Sequence, residues 1–387
     1  MRKRVIVFGI SMLAVMAALP IEAVELQALL KTLSRMEGAG NNNPAATAAW
    51  NELAKTSPEN LPEILAAFDD CTVLGANWLN LAVDTIADRA VDAGEKLPAQ
   101  GLEGFVLDRQ RNPRARRLAY DLLVRVDPAA QGRLVPTMLN DPGVEFRRDA
   151  VAHLLSQAEG LFAGKDPAQT QLLQQVIYQQ TLTAARDDDQ IKLIVNKLKK
   201  LGVKVDLPRH FGFLMNWKVV GPFNNKARKG FAVAYPPEKE LDLAAQYDGQ
   251  EGPVKWQAYQ TTDDYGMVNI NEPYGMLKEV LAYAVTDFDS SVDRQVELRL
   301  GCKNAWKVWL NGELLFQRDE YHRGMRLDQY RLKANLKKGR NVIMLKLCQN
   351  EQTENWTKEW QFQLRVCDAT GTAILSTGRP ASGGKGK

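Results

Sequence analysis

VELRLGCKNAWKVWLNGELLF, residues 296–316, decides how the C-terminal half is read, because two strand-like runs stand around an Asn-Gly pair. Asn311-Gly312 tolerates positive φ at both central positions of a type I′ turn, so 306–310 and 313–316 are expected to close into a tight hairpin. Further runs rich in β-branched and aromatic residues lie on either side: 214–220 (LMNWKVV), 279–285 (EVLAYAV), 296–300, 342–347 and 361–366 (QFQLRV). Gly, Pro, Asn and Asp punctuate the gaps between them, and such spacing predicts an antiparallel sandwich over residues 211–375.

Upstream the pattern is helical. A capping residue directly before proline recurs at Asn43-Pro44, Ser57-Pro58, Asn112-Pro113, Asp127-Pro128, Asp141-Pro142 and Asp166-Pro167. The side-chain oxygen satisfies an orphan N–H, and proline loses no bond at the first helical position. NPRARRLAYDLLVRV (112–126) and DPGVEFRRDAVAHLL (141–155) align so that Arg116 matches Arg147 and Ala119 matches Ala150. Stacked helical hairpins over 24–205 follow from this. The last helix opens on Asp187-Asp188-Asp189 and ends on Lys197, Lys199 and Lys200 before Gly202, with charges that suit the helix dipole at both ends. The linker is expected at 203–210.

Across the C-terminal half, DDDQIKLIVNKLKKLG, FGFLMNWKVVGPF, AYPPE, KVWLNGELL, LKKGRNVIMLKL and WQFQLRVCDATG resemble a set found in secreted planctomycete-type bacterial proteins. In that family HEAT-like helical repeats, an α-solenoid, precede a galactose-binding-like β-sandwich of jelly-roll form. The most specific part is the order W-x-V-x-G-P-F, V-W-L-N-G, L-K-x-G-x-N. The resemblance implies fold, export and a binding role, and it names no ligand.

The N-terminus fits export. Arg2-Lys3-Arg4 precedes an apolar run at 5–19, and Ile21-Glu22-Ala23 suits cleavage, so 1–23 reads as a signal peptide. The run is shorter than the roughly 20 residues a membrane span needs, and no later segment matches it, so no transmembrane anchor is expected in the mature chain. The expected location is periplasmic or extracellular. Removing the leader takes away three bases and one acid, which leaves +2 of the formal +4. So small a charge argues against nucleic acid as the partner. The local exception, Arg109, Arg111, Arg114, Arg116 and Arg117, reads as a solvated helix face. Cys71, Cys302, Cys348 and Cys367 contain no C-x-x-C, so one disulfide or none is expected. The segment 376–387 (STGRPASGGKGK) has nothing apolar enough to bury and reads as a disordered tail.

Chemistry-bearing motifs are scarce. His153, His210 and His322 are the only histidines and fall in three different elements; neither G-x-S-x-G nor H-E-x-x-H occurs. The expectation is therefore no enzyme activity and no cofactor. Asp287, Asp289 and Asp293 alternate as calcium ligands do, but the sixth-position glycine is missing and Glu297 falls one residue short of the twelfth position. An acidic loop is the plain reading; the resemblance adds the alternative of a structural calcium ion. Trp306 and Trp309 lie at odd spacing, so at most one points inward, and core is their expected place. Trp356 and Trp360 bracket the loop before the last strand and, with Tyr321, His322 and Arg323, are the expected ligand-binding residues.

The functional expectation is an exported, non-catalytic adaptor. Its helical repeats take a protein partner, and its sandwich takes carbohydrate or another cell-surface polymer. The alternatives are a structural scaffold without glycan binding and an accessory subunit of a glycan-active enzyme.

Overall fold

A computed structural model describes residues 21–38, 43–160 and 167–379 of the chain. Residues 1–20 of the expected leader, Asp166 of the last Asp-Pro pair and residues 380–387 of the expected tail lie outside the described residues. An N-terminal helical region is followed by a C-terminal domain of antiparallel sheets, and the chain divides into two compact units, Met1–His153 and Leu154–Lys387.

The helical unit is built from α1 (Ile21–Ser34), α2 (Asn43–Leu53), α3 (Leu61–Ala66), α4 (Val73–Asp92), α5 (Ala99–Leu107), α6 (Pro113–Val126), α7 (Ala129–Leu134) and the first part of α8 (Val144–Gly160). The residue-before-proline pattern starts these turns as expected: Asn112 Oδ1 accepts from the N–H groups of Arg114 and Ala115, Ser57 Oγ from Glu59, and Asp127 Oδ1 from Ala129. Leu33, Leu61, Phe68, Leu79, Ile86, Leu102 and Leu123 form a single buried core. Within it lies Arg116, whose two terminal nitrogens each stand 2.8 Å from an Asp141 oxygen while its Nε donates to Val106 O. Arg147 Nε in turn donates to the Asp141 carbonyl. Arg116 thus ties α6 to the turn that opens α8, Arg147 ties α8 to that same turn, and Arg116, expected on a solvated face, is fully buried. The rest of the basic patch is also engaged: Arg111 with Asp69 and Asp108, Arg117 with Asp121 and Asp149, Arg114 with Asn77.

The second unit contains α9 (Pro167–Ala184), α10 (Asp188–Lys200) and twelve strands among the described residues. These are β1 (Asn216–Asn224), β2 (Gln246–Asp248), β3 (Pro253–Lys255), β4 (Gln257–Gln260), β5 (Val268–Asn269), β6 (Val280–Ser290), β7 (Arg294–Cys302), β8 (Ala305–Leu310), β9 (Glu313–Arg318), β10 (Tyr330–Leu336), β11 (Gly339–Cys348) and β12 (Gln361–Cys367). One sheet runs β4-β1-β6-β11-β8-β9, a second runs β10-β7-β12-β5, and both share a core that includes Val219, Ala282, Trp306, Leu345, Leu298, Leu300, Phe362 and Leu364. β8 and β9 form the hairpin expected from Asn-Gly, with φ of 53° at Asn311 and 84° at Gly312. No helix among the described residues is long and apolar enough to cross a membrane.

The far face of the six-stranded sheet is also covered. Phe231, Tyr235, Leu241, Leu243, Tyr247 and Trp256 pack over Phe223, Tyr283, Trp309 and Met344, so Trp306 and Trp309 are buried on opposite faces of the same strand. Lys346 is fully buried under this cover, where its ammonium donates to Phe231 O, Val233 O and Glu238 Oε1.

Three expectations about boundaries differ from what is found. α9 and α10 belong to the compact unit that holds the sheets, because Arg186 Nη2 donates to Thr372 Oγ1 and Lys192 sits over the Tyr265 ring at 5.4 Å. Part of the expected linker is packed as well, since Leu207 is buried and the His210 ring meets Phe211, the first residue after it, edge to face. Residues 376–379, read as the start of a disordered tail, are bound to the sheet: Ser376 Oγ accepts from Asp289 N, Thr377 N donates to Asp289 O, and Arg379 donates to Phe213 O. All four cysteines are free thiols; burial pushes Cys302 and Cys348 up to about 12 and Cys367 up to about 11.

Candidate functional site

At one end of the six-stranded sheet, where β1 ends, β6 begins and β11 ends, four chain segments meet. They are the turn Lys226–Phe231, the residues leading into β6, residues 319–323 and the 349–359 loop with its short turn Asn355–Thr357. Six non-glycine residues have positive φ among the described residues, and four of them lie here: Ala227 (56°), Arg228 (63°), Glu279 (54°) and His322 (56°). Such conformations carry strain on the order of 1–3 kcal/mol each and persist where surrounding structure holds them.

Hydrogen bonds link the four. Asn225 N donates to Glu279 O, Ala227 N to Glu279 Oε1, and Glu279 N to Asn350 O, each at 2.8–3.0 Å. Asn350 Oδ1 accepts from His322 Nε2 at 2.6 Å, an orientation fixed because Asn350 Nδ2 donates to Gln352. Asn225, fully buried, donates through Nδ2 to Tyr321 Oη and Gln349 O. With Nε2 as donor, His322 keeps its lone pair on Nδ1, which is buried without a partner. Burial and the nearby Lys278 and Arg228 charges hold this imidazole below the ordinary histidine range, against the opposing bond from Asn350. Burial likewise raises the Tyr321 phenol.

Trp356 stands on this platform at 58% exposure, the one tryptophan counted as exposed among the described residues. His322 meets it edge to face, with centroids 5.4 Å apart and planes at 85°. Arg228 lies 5.2 Å over the Tyr321 ring and donates through Nε to Glu351 at 3.1 Å. Together the surface offers one open aromatic face, a ring edge and a paired guanidinium and carboxylate. That combination suits a ligand with an apolar face and hydroxyl groups.

Of the expected ligand-binding residues, Tyr321, His322 and Trp356 are brought together. Arg323 turns to Glu320, 3.1 Å from Nε. Trp360 is not available: it is fully buried in the core between the sheets, its Nε1 donating to Leu347 O. It belongs to the inward phase that leads into β12, whereas Trp356 sits on a turn four residues earlier. Reading the sequence missed Asn225, Arg228, Lys278, Glu279, Asn350 and Glu351. Only the Asn224-Asn225 pair after Gly-Pro-Phe hints at a turn, and nothing local shows the long-range pairing.

The acidic trio does not gather. Asp287 pairs with Arg340 at 2.9 Å and Asp293 accepts from Lys338 N at 2.7 Å. Asp289 instead joins Asp287 on the wall of a cleft of about 450 Å3 at the opposite end of β6. No group of three or more His, Cys, Asp or Glu able to hold a metal ion occurs among the described residues, and this donor set does not fit calcium.

No protein-family model matches the chain, and no curated protein matches its sequence. Among solved structures it is similar to the GH31 α-xylosidase from Xanthomonas citri (TM-score 0.21, 9% identity, 40% of this chain and 16% of that one). It is also similar to the β-glucosidase from Kluyveromyces marxianus in selenomethionine-labelled form (TM-score 0.26, 9% identity, 73% of this chain and 35% of that one). The glucose complex of the same enzyme gives a TM-score of 0.24 at 10% identity, over 76% of this chain and 36% of that one. The chain therefore spans about a third of these enzymes or less, and superposition this loose carries neither a fold nor a function across.

Proposed function

We propose that the chain is an exported, non-catalytic binding protein whose sheet domain, a galactose-binding-like jelly roll, holds a saccharide on the Trp356 platform. The observation that carries this reading is the gathering of four strained non-glycine residues around the exposed tryptophan. Strain concentrated at one solvent-facing spot is what a preorganised ligand surface requires. Stacking on the indole supplies contact area, while the Arg228–Glu351 pair presents both donors and acceptors to sugar hydroxyls. His322 serves as a support rather than a proton carrier, since its Nε2 proton is held by Asn350. In the same proposal the helical region is a HEAT-like solenoid that receives a protein partner. A cleft of about 700 Å3 walled by Arg117, Tyr120, Asp149 and His153 supports that role.

The test is affinity electrophoresis of the full chain through gels containing neutral and acidic polysaccharides. Retardation that disappears in Trp356→Ala at unchanged melting temperature supports the proposal. No retardation on any polysaccharide overturns it in favour of a scaffold without glycan binding.

A further inference from the structure

The charges around Trp356 are not evenly neutralised. Arg228 is matched by Glu351 and Arg323 by Glu320, and at the far end of the loop Lys303 is matched by Glu359. Lys278 and Lys358 are not matched in this way. Lys278 Nζ, half-buried, donates to Thr357 O at 2.8 Å and Thr357 Oγ1 at 3.3 Å, while Lys358 Nζ donates to Asn355 Oδ1 at 2.8 Å. The turn that carries Trp356 is therefore gripped on both sides by ammonium groups whose partners are neutral oxygens.

The two lysines also feel each other. Burial lowers the Lys278 ammonium first; the Glu354 carboxylate opposes this, and the Lys358 charge, a smaller effect, lowers it again. Glu354 is exposed, and the Glu279 carboxylate accepts from Ala227 N. A partly desolvated cation beside a like charge gains from an added anion. Resting on the saccharide reading above, we infer that the ligand is an anionic saccharide: a pyranose whose apolar face lies on Trp356 while a carboxylate or sulfate substituent is held between Lys278 and Lys358.

The experiment measures binding of the full chain to a neutral galactan, to polygalacturonate and to a sulfated galactan at physiological ionic strength. Binding to one of the two anionic polymers is expected to be about tenfold tighter than to the neutral one, and which of them binds identifies the substituent. Lys278→Met with Lys358→Met should remove that advantage, as should Trp356→Ala. Lys218→Met with Lys333→Met, at exposed positions elsewhere on the sheets, should leave it within about twofold. Equal binding to neutral and anionic polymers overturns the anionic class and leaves the saccharide reading standing. Loss that is as large in the Lys218 and Lys333 variant means general attraction of a basic protein to a polyanion, and also overturns it. Binding to none of the three removes the saccharide reading itself.

Discussion

His322 stands edge-on to Trp356, ring centroids 5.4 Å apart, on a left-handed backbone conformation and with its Nε2 bonded to Asn350. The exposed indole therefore has a rigid support drawn from a different loop. Replacing His322 by Ala should weaken polysaccharide retention several-fold while Trp356 stays exposed. Tryptophan fluorescence quenching by iodide checks exposure, and gel retardation checks binding.

Trp356 and Trp360 should behave oppositely. Trp356→Ala removes an exposed ring and should change stability by less than about 0.5 kcal/mol. Trp360→Ala opens a cavity in the core between the sheets and should cost about 3–5 kcal/mol. Urea midpoints of the two variants decide this; a large loss from Trp356→Ala would make it a structural residue.

Gly312→Val should destabilise by about 1–3 kcal/mol, because φ is 84° there and a β-branched residue resists that region. A Cβ at Gly312 meets nothing within 4 Å, so the cost is conformational, not steric. Glycan retention should be unchanged at a temperature where the variant is folded.

Arg116→Met should cost about 3–5 kcal/mol, because it removes both close guanidinium bonds to the buried Asp141 carboxylate and leaves it only Gly143 N and the more distant Arg109 at 3.6 Å. Loss of helical circular dichroism on heating should shift to lower temperature, and the double variant Arg116→Met with Asp141→Leu should recover part of the loss.

Acid should destabilise the chain before its carboxylates titrate. Burial, with the Arg186 and Arg365 charges, holds His210 at about 4 against an ordinary value of 6.5. The unfolded chain takes up this proton near 6.5 and the native chain only near 4, so the stability contribution is intact above 6.5 and is lost as pH falls toward 4. The limiting loss is on the order of 3 kcal/mol. Urea midpoints between pH 7 and pH 5 should fall, and less steeply in His210→Asn.

The hairpin, the helix starts and the division into helices followed by antiparallel strands were legible in the sequence, because each is decided locally. Asn311-Gly312 permits the turn, Asn112 and Ser57 cap their own next turn, and an apolar, partly β-branched run marks 342–347 as a strand. Tyr321, His322 and Trp356 were legible as aromatic and polar residues in loops. That they meet, that Trp360 turns inward, and that Arg228, Glu279 and Asn350 complete the platform were decided only by tertiary structure. Strand order β1-β6-β11 brings the end of β1, the start of β6 and the end of β11 to one pole, although they are far apart in the chain. The same holds for Arg116, whose burial depends on Asp141 arriving from the turn before α8, and for 376–379, which are ordered because Asp289 offers its backbone. Local propensity fixes which residues turn, cap and form strands; only long-range pairing fixes which loops share a surface.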